Sequence, residues 1–119
     1  MGPLVLVVDD DPAVRRALVR LLRSADLEVE AFASGSELLA FERPLRVVCL
    51  VLDLHLPDMN GIDLLRLILV SAPDLPVLIL TGESDPAVRD RALREGARAF
   101  VLKPFEEGRL LEEVRRLSS

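Results

Sequence analysis

Apolar residues gather into short unbroken runs at Leu4–Val8, Val47–Leu52, 77–80 and 100–102, with a weaker run at 27–33. Unbroken rather than alternating hydrophobicity is what strands covered on both faces require, and parallel sheets are built from such strands. Between the runs, apolar positions repeat at helical spacing behind recognisable start signals. Asp11-Pro12 reads as an N-cap followed by proline in the first turn, and Val14, Leu18, Leu21 and Leu22 form one face with Arg15, Arg16, Arg20 and Arg23 outside it. Ser34 and Glu37 fit a capping box, Asn60-Gly61-Ile62-Asp63 opens a third helix, and Asp85-Pro86 opens a fourth that Gly96 ends. A fifth helix is predicted over 105–117.

Strand and helix therefore alternate five times. That order predicts an α/β fold with a parallel sheet and helices on both of its faces. No Gly-x-Gly-x-x-Gly follows a strand and no P-loop is present, which argues against a nucleotide site of either kind. The third helix departs from amphipathicity. With Leu64, Leu65, Ile68 and Ala72 toward the sheet, Val70 points nearly opposite and Leu67 and Leu69 lie on the flanks. Apolar residues on a surface helix mark contacts, so Leu67, Leu69 and Val70 are read as an interface for self-association or an output domain.

Composition narrows the picture. A chain of 119 residues is read as a single domain spanning 1–119, with no output domain inside it. The net charge of −5 argues against direct nucleic-acid binding. The lone Cys49 sits in an apolar run and has no partner within the chain for a disulfide; it is read as a small buried hydrophobe, which suits a cytoplasmic location. Leu4–Val8 is too short to span a membrane.

The chemistry stands where the strands stop. The first run ends in Asp9-Asp10-Asp11, the third in Asp53, the fourth in Thr81 and the fifth in Lys103. Ligands of open α/β sheets bind outside the carboxyl ends of the strands. Carboxylates from two adjacent strands at ~6 Å repel by roughly 3 kcal/mol at an effective dielectric of about 20, and a divalent cation relieves that. An all-oxygen donor set favours Mg²⁺. Lys103 supplies a positive charge and Thr81 a hydroxyl donor, so the cluster suits phosphoryl transfer, with a carboxylate as the nucleophile. Asp11 is read as an N-cap rather than a third ligand.

In order and spacing, Val7-Val8-Asp9-Asp10, Asp53 through Gly61, Thr81-Gly82, Gly96-Ala97 and Phe100 through Phe105 resemble the response-regulator receiver domain of two-component systems. The resemblance runs from Leu4 to Leu117. It implies a flavodoxin-like three-layer (βα)5 fold with sheet order 2-1-3-4-5. It implies Asp53 as the acceptor of a phosphoryl group from a sensor histidine kinase or phosphotransfer protein. Asp9, Asp10, Asp53 and the backbone carbonyl of His55 would hold Mg²⁺. Thr81 and Phe100 would form the switch pair, Lys103 would pair with the phosphate, and Lys103-Pro104 would be a cis peptide. The partners implied are the kinase, an output domain or partner protein, and a second copy in a homodimer. The His55 side chain is read as a solvated group flanking the site, with general base and metal ligand as alternatives; Glu83 holds a similar position.

This reading makes the chain a signalling module rather than an enzyme acting on a separate substrate, with intrinsic autophosphorylation and slow autodephosphorylation. Competing readings are a phosphorelay intermediate, a degenerate receiver that binds without phosphorylation, and a haloacid-dehalogenase-type phosphatase. The last class wants a second acid two residues after the nucleophile, where this chain has His55.

Overall fold

The computed structural model describes residues 2–119 as one parallel sheet of five strands and five helices. The strands are β1 (Leu4–Val8), β2 (Glu28–Phe32), β3 (Val47–Leu52), β4 (Val77–Thr81) and β5 (Ala99–Leu102), in the order β2-β1-β3-β4-β5. The helices are α1 (Pro12–Ser24), α2 (Gly35–Ala40), α3 (Gly61–Ser71), α4 (Pro86–Arg94) and α5 (Glu107–Ser118). This is the flavodoxin-like arrangement expected, with the strand order reversing direction between β1 and β3. None of the helices is long and apolar enough to cross a membrane among the described residues.

The side-chain period of two along each strand explains why the apolar runs are unbroken. Leu4, Leu6 and Val8 of β1, Leu50 and Leu52 of β3, and Val77 and Ile79 of β4 pack in one layer with Leu38 of α2, Leu64, Leu65 and Ile68 of α3, and Ala92 of α4. The alternate residues Val5, Val7, Cys49, Val51, Leu78 and Leu80 pack in the other layer with Leu18 and Leu22 of α1 and Leu110, Val114 and Leu117 of α5. The three central strands thus have no wet face, and their one polar residue, the buried Thr81, stands at the very end of β4.

Capping follows the sequence closely. Asp11, Asn60 and Asp85 each accept a hydrogen bond from the N–H two residues on, at 2.9, 2.8 and 2.9 Å. Ser34 Oγ accepts from the N–H of Glu37 at 3.2 Å, while the Glu37 carboxylate returns to the N–H of Ala33 rather than to that of Ser34. Gly96 adopts φ 115°, the left-handed conformation that ends α4.

Three expectations shift. The fifth helix begins at Glu107 because the Glu106 carboxylate caps it, accepting from Gly108 N–H at 3.2 Å. Phe105 stands just outside that cap and packs against the layer holding Leu110, as a hydrophobic staple does. β4 extends through Thr81 and β5 starts at Ala99. On α3, Leu67 and Val70 are exposed at 51% and 84%, but Leu69 is half-buried and packs against the core. A Cβ at Gly96 would lie 2.6 Å from Leu69 Cδ1. Leu69 is therefore a packing residue between α3 and the end of α4, not part of the exposed face.

Candidate phosphoacceptor site

Sheet register alone brings the site together. Val8 of β1 stands opposite Leu52 of β3, so Asp9 and Asp53 are the next residues on neighbouring strands. The ladder runs one step past the strand ends: Asp53 N–H donates to Val8 O at 3.0 Å, and Asp9 N–H donates to Phe32 O at 3.0 Å. Across the sheet, Thr81 pairs with Leu102, and Lys103 N–H donates to Thr81 O at 2.8 Å. Four strands therefore deliver Asp9, Asp53, Thr81 and Lys103 to one edge.

Asp9, Asp10 and Asp53 each offer an oxygen, and the three oxygens lie within 4.8 Å of one another. Asp9 and Asp53 are buried and Asp10 is exposed, so the cluster opens to solvent on one side. Lys103 Nζ bridges the two buried acids, at 2.7 Å from Asp9 Oδ2 and 2.9 Å from Asp53 Oδ2. Burial holds the Asp9 carboxyl above its ordinary pKa, and the hydrogen bond from Lys103 offsets this only in part. Burial also opposes the charge on Lys103, but there the hydrogen bonds to Asp9 and Asp53 prevail and raise its pKa. The contrast is physical: one ammonium is shared between two acids, so the lysine gains more than Asp9 does.

The chemistry of the donor set fits a hard divalent cation. Three carboxylates with one open side and no nitrogen or sulfur donor match Mg²⁺, which keeps several waters and few protein ligands.

The flanking residues are ordered around the acceptor. The N–H of His55 donates to Asp53 Oδ1 at 3.2 Å, which fixes the rotamer of the carboxylate. The His55 ring is exposed, and its Nε2 lies 3.3 Å from Glu83 Oε2. Thr81 is fully buried, and its Oγ1 accepts from Glu83 N–H at 3.3 Å. Phe100 is half-buried; it packs against the core and lines a surface groove with Pro86, Arg89, Pro104 and Phe105. The Lys103–Pro104 peptide is cis.

Sequence reasoning missed three supports. Arg15 Nη1 donates to Asp9 O at 2.7 Å. Asp58 accepts from the N–H groups of Gly35 and Ser36 at 3.0 and 2.8 Å, so the loop after the acceptor caps α2. Gly61 allows α3 to start directly against that loop, since a Cβ there would lie 2.4 Å from Leu54 Cα and 2.8 Å from Asp53 O. The glycine appears in the motif, but only the contact explains it. The other two partners are far apart in sequence or lie in an ordinary arginine-rich helix, and left no local signal. Asp11 and Asp63 stay outside the cluster, as an N-cap and a first-turn acid of α3.

Comparison with known proteins agrees with this geometry. Residues 5–115 match the response regulator receiver domain family. The chain is 40% identical over 111 residues to nodulation protein W of Bradyrhizobium diazoefficiens, covering 93% of this chain and 49% of that protein. It is 37% identical over 115 residues to the C4-dicarboxylate transport transcriptional regulatory protein DctD of Rhizobium meliloti, covering 97% of this chain and 25% of that one. The chain thus spans half or less of the length of these two relatives. Among solved structures, the non-phosphorylated HemR receiver domain from Leptospira biflexa superposes with a TM-score of 0.92 at 36% identity, covering 99% of this chain and 95% of that one. Sheet order, strand-end acids and these matches agree: the chain belongs to the response regulator receiver domain family of two-component systems.

Proposed function

We propose that Asp53 accepts a phosphoryl group from a phosphohistidine of a sensor kinase or phosphotransfer protein, and that the domain then controls an output domain or partner protein. The observation that carries this is the bridge from Lys103 Nζ to Asp53 Oδ2 at 2.9 Å, beside the oxygens of Asp9 and Asp10. One carboxylate is held by a cation and faces a cluster able to bind a second.

Asp53 acts as the nucleophile. A bond forms between its carboxylate oxygen and phosphorus, the phosphorus–nitrogen bond of the donor breaks, and the departing imidazole keeps the electron pair and takes up a proton. Lys103, held charged by its two acids, neutralises negative charge on the transferred group. Asp9, Asp10, Asp53 and the carbonyl of His55 are the groups that would hold Mg²⁺, which supplies charge neutralisation at the phosphoryl oxygens. The buried Thr81 hydroxyl would donate to a phosphoryl oxygen, and Phe100 would follow it inward. The phosphoryl group adds up to about two negative charges at the strand ends, and the response is a shift between two populated states. The domain is a switch whose own chemistry is limited to gaining and slowly losing this group.

The test is incubation with acetyl phosphate and MgCl₂, read by intact mass. One phosphoryl adduct is expected in the native sequence and none in Asp53→Asn. An adduct that survives Asp53→Asn, or no adduct in the native chain, overturns the assignment.

A further inference from the structure

A second feature lies away from the acidic cluster. A groove of about 740 Å³ runs between α1 and the edge strand β2, lined by Arg16, Val19, Arg20 and Arg23 from α1 and Ala31 from β2. Arg16, Arg20 and Arg23 recur at helical spacing and form one exposed stripe. Among the described residues, no carboxylate makes a salt bridge with any of them. On a chain of net charge −5 the stripe is a local concentration of positive charge.

The strand beside it is open. β2 pairs with β1 alone. Glu28 N–H donates to Pro3 O and Phe32 O accepts from Asp9 N–H, so the even-numbered residues of β2 turn their backbone groups toward β1. By the alternation of a strand, Val29 and Ala31 turn theirs outward, away from the sheet. Such a row is a template for another strand. Val29 packs in the layer with α1 and α5, so Ala31 faces that side too, while the exposed Glu28 and Glu30 face the opposite side. An added strand would meet arginines on one face and glutamates on the other.

We propose that this groove takes an extended segment of a partner protein as a sixth strand beside β2. Its alternate positions carry carboxylates toward Arg16, Arg20 and Arg23, and the intervening positions are neutral or basic against Glu30. Backbone pairing at Val29 and Ala31 would supply affinity, and the alternation of charge would supply register and choice of partner.

The full chain is titrated with a short fluorescent peptide alternating Glu with Thr, followed by anisotropy and amide NMR. Saturable binding is expected, weakened by added salt, with slowed exchange at the amides of Val29 and Ala31. Arg20→Glu with Arg23→Glu should weaken it about tenfold or more while leaving the rest of the amide spectrum unchanged. The inference is overturned by no saturable binding, by equal binding of a Lys–Thr peptide, or by a variant that binds as well as the native chain. It is also overturned if single-stranded DNA binds more tightly than the peptide, which makes the stripe a general polyanion surface. Protection of Val29 and Ala31 without peptide, in a dimer seen by light scattering, makes a second copy the occupant and overturns it as well.

Discussion

Lys103 Nζ stands 2.9 Å from Asp53 Oδ2 although fifty positions separate the two residues in the chain. The same ammonium lies 2.7 Å from Asp9 Oδ2, so one cation holds two buried acids in register. Its raised pKa means that this stabilisation is fully present below the ordinary lysine value and is lost as pH rises through the folded one.

Replacing that lysine leaves Asp9 and Asp53 buried without their counter-charge. Lys103→Ala should cost on the order of 2–3 kcal/mol at neutral pH, at the low end for a broken buried pair because the lysine is partly exposed. Added MgCl₂ should restore part of the loss. Urea denaturation with and without the salt measures both, and a variant as stable as the native chain would contradict the bridge.

Two glycines should behave oppositely. Gly61→Ala drives a methyl group into the backbone of Leu54 and the carbonyl of Asp53, and should cost about 2–3 kcal/mol and impair phosphorylation. Gly82→Ala meets nothing within 4 Å and should change stability by less than about 0.5 kcal/mol. Thermal melts and acetyl-phosphate labelling of the two variants make the comparison. Equal effects would mean that α3 does not seat on the acceptor loop as described.

Burial pushes the Cys49 thiol up to about 12. The folded protein should resist thiol reagents at pH 7.5 and react only when guanidinium unfolds it. The native state binds this proton more tightly than the unfolded chain. Its contribution is present below about pH 9 and falls by roughly 1.4 kcal/mol per pH unit above that. Fast labelling of the native protein at neutral pH would place Cys49 elsewhere.

Asp58 couples the acceptor loop to α2. Hydrogen bonds from the Ser36 hydroxyl, then from the Ser36 and Gly35 backbone N–H groups, hold its carboxyl below the ordinary pKa. A depressed folded value means stability present above about pH 4 and lost as pH falls further. Asp58→Ala should therefore lower the melting temperature at pH 7, and the gap from the native chain should close as pH drops below 4. A gap that stays constant with pH would remove the charge from the cap.

The order of elements was legible because each local rule pointed the same way. Unbroken apolar runs, proline after a capping acid, and glycine after a last turn are properties of neighbours in sequence. The strand-end residues Asp9, Asp53, Thr81 and Lys103 were legible for the same reason, since each interrupts an apolar run. Leu69 was misread as surface because helical periodicity fixes an angle about the axis and not what lies over it. Gly96, two residues past the end of α4, lies close enough to cover Leu69.

By itself the sequence determined the alternation of strand and helix, the cap residues, and the identity of the four groups that end the strands. Tertiary structure alone decided that one ammonium is shared between Asp9 and Asp53, that Asp58 caps a helix 22 and 23 residues away, and that Arg15 holds the carbonyl of Asp9. It also decided which backbone groups of β2 face outward beside the arginines of α1. The physical reason is range. Capping and periodicity act within a turn or a strand, whereas the register of a parallel sheet joins residues that the chain keeps far apart, and register sets which charges meet.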